Sequence, residues 1–521
     1  MNRRTFLRSG SVFSLPVVLS GVNIGVMASS KLNYLLGDES DRVFVLIQQN
    51  GGNDGLNMVI PIDQYGVLST LRSNILIPEG QTLKLTDGTA FHPVMQGLKS
   101  LYDEQAVTII QNVGYENQNR SHFRSTDIWD TGSRADEILT TGWIGRYLDT
   151  QHYGYPEGYP NEEYPHPIAI TLGPSVSETC QGLAANFSLA INDPTSLLSI
   201  PGTNSEMLPD LPYGDELKFL QQVIQQTNVY SEVLKDTAEK GTNVSGLYPD
   251  TGQNRLADQL KIVAQLMSGG LKTKVYIVNL NGFDTHANQV DQSDVLNGDH
   301  ANLLANLSEA ILAFMDDLRQ QGLDERVIGA TRSEFGRQIT SNGSYGTDHG
   351  DAAPLLVFGS CVNSGIIGNN PQIAENQAPQ SGVPVQIDFK NVFGSILMDW
   401  FGAAETDIRN LFSHDFEYLS IVTACNTATA VTQFSNFQLY QFKPYPNPFF
   451  EKINAAFYSP GTEINLSLIN AMGQEVQTLE NRYFPEGTYQ LSHSIPDLPP
   501  GQYFYRIRSR DFQQSIPLVH F

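Results

Sequence analysis

The chain has 521 residues and a formal net charge of −24. An acid excess of that size argues against a nucleic-acid or anionic-membrane partner, because both demand a basic surface. Less its two ends, the length leaves about 400 residues, the size of one large α/β domain with insertions. Three cysteines, Cys180, Cys361 and Cys425, are too few for a disulfide framework and lack C-x-x-C spacing, so structural roles with at most one disulfide are expected.

The N-terminus reads Asn-Arg3-Arg4-Thr-Phe-Leu-Arg8, then a moderately apolar run from Ser11 to Met27 and a small-residue exit at Ala28. Paired arginines, an apolar stretch and a small-residue cleavage site in that order predict a twin-arginine export signal over 1–28. Such a signal implies that folding, and uptake of any metal, precede export. No other segment has the ~18–20 apolar residues that span a bilayer. The mature chain is therefore expected to lack a transmembrane segment.

The first predicted strand, Arg42–Ile47, runs into a glycine-rich turn carrying Asp54. Gly51, Gly52 and Gly55 would let the backbone bend so that this carboxylate approaches a cation. Asn53 and Asn57 could add a ligand or a transition-state hydrogen bond. A second strand at Ala106–Ile110 leads through a polar loop to Ser121, at the start of a helix running through Trp129. A serine there can cap the helix. With Arg120 and Arg124 beside it, the same place suits an anionic ester and a nucleophilic hydroxyl.

Leu256, Leu260, Val263 and Met267 make an apolar helical stripe stopped by Gly269-Gly270. Next comes the strand Thr273–Val278, followed by Asp284 and His286. At a spacing of two in extended chain they point the same way, so they can share one ion. Leu303, Leu304, Leu307, Ile311, Phe314 and Leu318 mark another helix, with Gly322 as its stop. Glu334 follows the strand Val327–Thr331, and Asp348-His349 precede the strand Pro354–Phe358. His349 offers a ligand or a general acid, and Asp348 a further metal ligand or a carboxylate near enough to orient the ring. Strands and helices alternate and the strands are almost wholly apolar, so a mainly parallel sheet with helices on both faces is expected over 40–420. In such sheets ligands bind beyond the carboxyl ends of the strands, where these polar residues fall.

After a linker at 421–442 the composition changes. Tyr445-Pro-Asn-Pro-Phe449 opens a series of short alternating segments at Ile453–Phe457, Ile464–Leu468 and Tyr503–Ile507. Pro460-Gly461, Met472-Gly473, Glu486-Gly487 and Pro500-Gly501 punctuate them. Period-two patterning with regular turn signals predicts a small antiparallel β-sandwich over 443–521. The segment resembles the type IX secretion sorting domain of Bacteroidetes, on the opening YPNPF, Asn470-Ala-Met-Gly-Gln-Glu-Val476 and Gly501-Gln-Tyr503. Its tail, Ser-Ile-Pro-Leu-Val-His520-Phe521, lacks the basic residue common near that end. The resemblance implies the type IX secretion machinery as a partner, and a cell-surface or extracellular destination after crossing the periplasm.

Residues 40 to about 415 resemble the domain-of-unknown-function 1501 family, on GGNDGLN (51–57), SHFRSTD (121–127), GWIGR (142–146), FDTHANQ (283–289), SEFGR (333–337) and GTDHG (346–350). That family is in turn similar to the alkaline phosphatase and sulfatase superfamily, with two metals around a serine or threonine nucleophile. Carried over by position, the likeness implies Asp54, Ser121 and Glu334 at one metal, with Asp284, His286 and His349 at the other. Zinc is the first expectation, with calcium, magnesium or manganese as alternatives. Where the superfamily has an Asp-His pair this chain has Glu334-Phe335, and where relatives carry a further histidine it has Asp351. Cys180 lacks the sulfatase cysteine signature. The expected function is a secreted hydrolase of phosphate or sulfate esters, on a small molecule or a glycan. The alternative is a degenerate surface binding or envelope-assembly protein that keeps a metal site.

Overall fold

A computed structural model describes residues 41–195, 212–413, 415–423, 443–445, 449–470, 474–495, 498–509 and 513–520. The expected export signal and most of the expected linker lie outside these residues. The chain divides into two compact units, 1–424 and 425–521.

In the first unit the strands are β1 (Val43–Asn50), β2 (Val59–Pro61), β3 (Leu83–Lys84), β4 (Thr89–Phe91), β5 (Val107–Gly114), β6 (Ala169–Leu172), β7 (Ser188–Ile191), β8 (Val275–Asn281), β9 (Val327–Arg332), β10 (Ala353–Phe358), β11 (Gly365–Ile367) and β12 (Ile387–Asp388). Among the described residues β2, β3 and β4 form a small sheet, and the other nine form one large sheet ordered β11-β5-β10-β9-β1-β8-β6-β7, with β12 also on β5. β1 is parallel to both β8 and β9, and β6 is parallel to β7 and β8. β10 alone runs against its neighbours β5 and β9. The large sheet is thus mainly parallel, as the near-continuous apolar strands predict.

Alternation along β1 explains the helices on both faces. Val43, Val45 and Ile47 enter a core with Leu256, Leu260, Leu304 and Ile311, from helices Arg255–Ser268 and Asp299–Gln320. Phe44 points the other way and meets Phe393 edge-on at 6.4 Å. There Trp129 stacks on Phe389 at 4.3 Å and Trp143 on Phe393 at 4.8 Å. A residue period of two puts successive side chains on opposite faces, so each face needs its own helical cover.

The reversed β10 has a consequence for chemistry. The segments after β1, β5, β8 and β9 leave one edge of the sheet. An antiparallel strand begins at that same edge, so Asp348 and His349, which precede β10, arrive where Asp284 and Glu334 follow theirs.

Cys361 is disulfide-bonded and Cys180 is buried and free. No helix among the described residues is long and apolar enough to cross a membrane.

The second unit contains β13 (Lys443–Tyr445), β14 (Lys452–Asn470), β15 (Glu475–Ser494), β16 (Gly501–Arg508) and β17 (Gln513–His520), all antiparallel to their neighbours. Phe449, Ile453, Phe457, Leu466, Phe484, Tyr505 and Leu518 form its core. Pro460-Gly461, expected to end a strand, lies within the continuous β14. Gly461 takes φ +87°, and the register of Pro460 with Glu486 continues unshifted at Thr462 with Phe484. Glu486-Gly487 likewise sits inside β15, opposite Pro460 and Ser459.

Candidate metal centre

His122, Asp284 and His349 each offer a ligand atom, all within 4.8 Å of one another. Asp284 Oδ1 lies 3.5 Å from His122 Nε2 and 3.2 Å from His349 Nε2. His286 Nε2 joins them, 3.1 Å from Asp284 Oδ1 and 2.9 Å from His349 Nε2. Four side chains from three separate loops therefore converge on one point.

The far side of each imidazole fixes its tautomer. His349 Nδ1 is 2.8 Å from the Arg120 carbonyl, which can only accept, so Nδ1 carries the hydrogen. His286 Nδ1 meets Asp348 Oδ1 at 2.9 Å, and the hydrogen bond from His286 holds that carboxyl below its usual range. His122 Nδ1 meets Glu334 Oε1 at 3.0 Å, an oxygen that also accepts the Gly51 N–H at 2.8 Å. With each Nδ1–H directed at its oxygen, the three rings turn their Nε2 atoms toward an ionised Asp284. Lone pairs 2.9–3.5 Å apart repel one another unless a proton or a metal ion sits among them. A tetrahedral ion with ligands at ~2.0–2.1 Å sets them about 3.3 Å apart, close to the 3.1–3.5 Å that Asp284 Oδ1 keeps from the three Nε2 atoms. The outer oxygens are the partners that metal-bound histidines use. The residues fit a metal ion.

Asp284 stays ionised although burial opposes it, because the Arg337 guanidinium hydrogen-bonds to it and holds its carboxyl well below the usual range. Burial pushes His349 below the ordinary imidazole range, against the Arg120 carbonyl and Asp284, which favours the neutral ligand form. The buried Arg337 guanidinium reaches Asp284 Oδ1 at 2.7 Å and also donates to the carbonyls of Gly51, Gly52, Phe283 and Thr347. Phe335 packs its ring 4.6 Å from His349 and 5.0 Å from His122. The two glycines before Asn53 are needed for this close approach. A Cβ on Gly51 would meet Asp284 N at 2.3 Å, and one on Gly52 would meet the Phe335 ring at 2.3 Å.

Of the residues singled out in the sequence, Asp284, His286 and His349 come together here. Glu334 and Asp348 stand behind the imidazoles instead of among the converging atoms. Asp54 lies elsewhere: it is fully buried, both its oxygens are 3.1 Å from Arg72, and Gln289 donates to Oδ2 at 2.5 Å. Arg72 holds its carboxyl below the usual range despite burial, so the expectation of Asp54 facing a cation gives way to a buried ion pair. Asn53 and Asn57 are structural as well, accepting from His300 at 2.9 Å and Arg72 at 3.2 Å.

Arg120 is committed to Asp351 through two bonds of 2.8 and 2.7 Å and to the Gln380 carbonyl. Arg124 is committed to Asp127 and to the carbonyls of Arg134, Ala135 and Glu137. Neither guanidinium has the free fork that holding ester oxygens requires. Ser121 is exposed at the N-cap of helix His122–Thr131 and its side chain makes no capping bond. His122 and Arg337 carried no role in the sequence reading. An imidazole next to a possible nucleophile was the available signal for His122, since histidine is the commonest metal ligand.

Behind the loops lie His92 and His300, both 1% exposed, and His152 is buried on another part of the unit. Burial disfavours the imidazolium and lowers His92 to about 3, and His300 and His152 to about 4. The unfolded chain takes up these protons near pH ~6.5 and the folded chain holds out to lower pH, so stability is full above that value and falls as the pH drops toward 4. Three protons taken up by the unfolded chain alone give a slope of about 4 kcal/mol per pH unit near pH ~5. Urea midpoints measured from pH 7 to 4.5 should fall steadily; a flat profile would contradict the buried neutral state.

Residues 62–388 match the family model described as protein of unknown function (DUF1501), a span that covers every converging residue. Residues 443–519 match the secretion system C-terminal sorting domain. No curated protein matches the chain. A phosphonate monoester hydrolase from Silicibacter pomeroyi aligns at 10% identity and TM-score 0.32, over 92% of this chain and 88% of that one. A sulfatase from Pseudoalteromonas sp. aligns at 10% identity and TM-score 0.30, over 89% and 86%. A protein in the alkaline phosphatase superfamily from Vibrio parahaemolyticus aligns at 12% identity and TM-score 0.28, over 86% and 82%. Likenesses this distant carry no assignment of activity.

Proposed function

The chain belongs to the DUF1501 family, and from its convergent imidazoles we propose that it is an exported, metal-dependent hydrolase of phosphate or sulfate esters. The observation that carries this reading is the set of three Nε2 lone pairs aimed at Asp284 Oδ1, each imidazole held from behind by an oxygen acceptor. His122, His286, His349 and Asp284 would hold the ion. A three-nitrogen, one-oxygen donor set suits zinc better than calcium or magnesium, which favour all-oxygen shells. When bound, the ion would supply Lewis-acid stabilisation of ester oxygens.

The chain's own residues would do the rest. Glu334, Asp348 and the Arg120 carbonyl keep the imidazoles oriented, and Arg337 keeps Asp284 ionised. Ser121 sits between Arg120, whose carbonyl holds His349, and His122, so its backbone is fixed beside the cluster at both flanks. It opens a ten-residue helix whose first N–H groups lack intrahelical acceptors and whose dipole favours an anion. That placement supports Ser121 as the group that attacks an anionic ester. The C-terminal sorting domain supports delivery to the cell surface through the type IX machinery.

Ser121→Ala should lower turnover of aryl phosphate or sulfate esters by at least ~10³-fold while metal content stays at the wild-type level. Unchanged turnover would remove Ser121 from the mechanism. A second reading, a surface binding or assembly protein that retains the metal, is favoured by one observation: Arg120 and Arg124 are both occupied. Stoichiometric metal with no turnover on any ester would select it.

A further inference from the structure

Gln289 lies three residues beyond His286, fully buried, and its side-chain amide touches the loops that carry His286 and His349. Its Oε1 accepts from Thr347 Oγ1 at 2.6 Å and from Thr285 Oγ1 at 3.3 Å. Thr285 stands between Asp284 and His286, and Thr347 stands two residues before His349. The Gln289 Nε2 donates to Asp54 Oδ2 at 2.5 Å. A carboxylate can only accept, so the amide has one permitted orientation and its oxygen must face the two hydroxyls. Asp54 is in turn pinned by Arg72, which also donates to the carbonyls of Ile339 and Gln338. A backbone bond from Thr347 N to Thr285 O at 3.2 Å closes the same circuit.

We propose that Gln289 is a positioning residue that sets the spacing between His286 and His349 by clamping Thr285 and Thr347 to the buried Asp54–Arg72 pair. The proposal rests on the metal-centre reading above. None of Gln289, Thr285, Thr347, Asp54 and Arg72 supplies one of the converging atoms, and Thr285 and Thr347 act through the residues beside them. All of Gln289, Thr285 and Thr347 are at most 3% exposed, so no water competes for these bonds and their geometry passes directly to the neighbouring ligands. The loop after β8 and the segment before β10 are also joined at their rims, by Asn288 N to the Ser344 carbonyl at 3.1 Å and by Asn342 Nδ2 to the His286 carbonyl at 2.8 Å, and Gln289 adds a buried side-chain anchor to both. A shift of a few tenths of an ångström between them changes how well two nitrogens meet one ion.

The test is metal binding by the chelator-treated full chain. Zinc affinity is measured by competition with a chelating indicator, and coordination is read from the visible spectrum after cobalt(II) loading. Gln289→Met, which keeps the volume and loses the amide, should weaken zinc about 10- to 100-fold and alter the cobalt spectrum. Thr347→Val should do the same to a smaller extent, and Thr347→Ser, which restores the hydroxyl, should return both readouts to wild type. A role confined to stability would lower the melting temperature and leave the spectrum unchanged. Wild-type affinity and spectrum in Gln289→Met overturn the proposal. If that variant does not fold, the Thr347→Val and Thr347→Ser pair decides in the same way. Failure of the wild-type chain to take up either ion would instead sink the metal-centre reading itself.

Discussion

Replacing Asp284 with asparagine should strip the chain of its metal while leaving the metal-free fold within a few degrees of the wild-type melting temperature. Asp284 Oδ1 is the one anionic atom among the converging ligands, and each of the three Nε2 atoms lies within 3.5 Å of it. Binding of ~10–16 kcal/mol shared among four ligands is about 2.5–4 kcal/mol each, or about two to three orders of magnitude in affinity. The loss should exceed that share, because Arg337 would then present an uncompensated guanidinium to the incoming cation. In the metal-free chain the outcome differs. Arg337 keeps four backbone carbonyls, and crowding between Asp284 and the imidazole lone pairs is relieved. Metal content by elemental analysis and melting curves with and without chelator check both halves. Full metal retention, or collapse of the metal-free fold, would contradict the assignment.

Arg72→Met should be the most destabilising single change near the site, costing about 3–5 kcal/mol. Asp54 and Arg72 are both fully buried and bonded through both carboxylate oxygens. Removing the guanidinium leaves the carboxylate in the core with Gln289 as its remaining hydrogen-bond donor. Burial alone raises a carboxyl, and Arg72 is the main force holding Asp54 down, so this carboxyl should then titrate upward. Asp54→Asn should cost less, since Arg72 retains Asn57 and the carbonyls of Ile339 and Gln338. Urea denaturation gives the sizes. If Asp54 served a metal directly, Asp54→Asn would empty the site and spare stability, which is the opposite pattern.

The contrast between Asp54 and Asp284 marks what could be read from the sequence. Both follow an apolar strand and both sit in turns, so local pattern gives them the same promise. Asp54 differs through Arg72, a residue in an unremarkable Thr-Leu-Arg-Ser-Asn stretch whose approach depends on tertiary folding. Glu334 and Asp348 were legible as members of the cluster. Which side of an imidazole they occupy was not, because that depends on ring orientation set by the Gly51 N–H and by Asn342. The sheet was more transparent. Runs such as Val43–Ile47 and Val327–Thr331 are too apolar for any place but a doubly covered interior, and they form β1 and β9. The reversal of β10 has no signature in Ala-Pro-Leu-Leu-Val-Phe, yet it brings His349 to the edge where the other ligands gather. In the C-terminal unit Pro460-Gly461 reads as a turn by composition, and long pairing on either side overrides it.

X-ray absorption on the full chain, purified without chelators, addresses the central claim most directly. One ion per chain with three imidazole nitrogens and one carboxylate oxygen at ~2.0–2.1 Å is the predicted result, with one imidazole fewer in His122→Ala. An all-oxygen shell, or no stoichiometric ion at all, would contradict it.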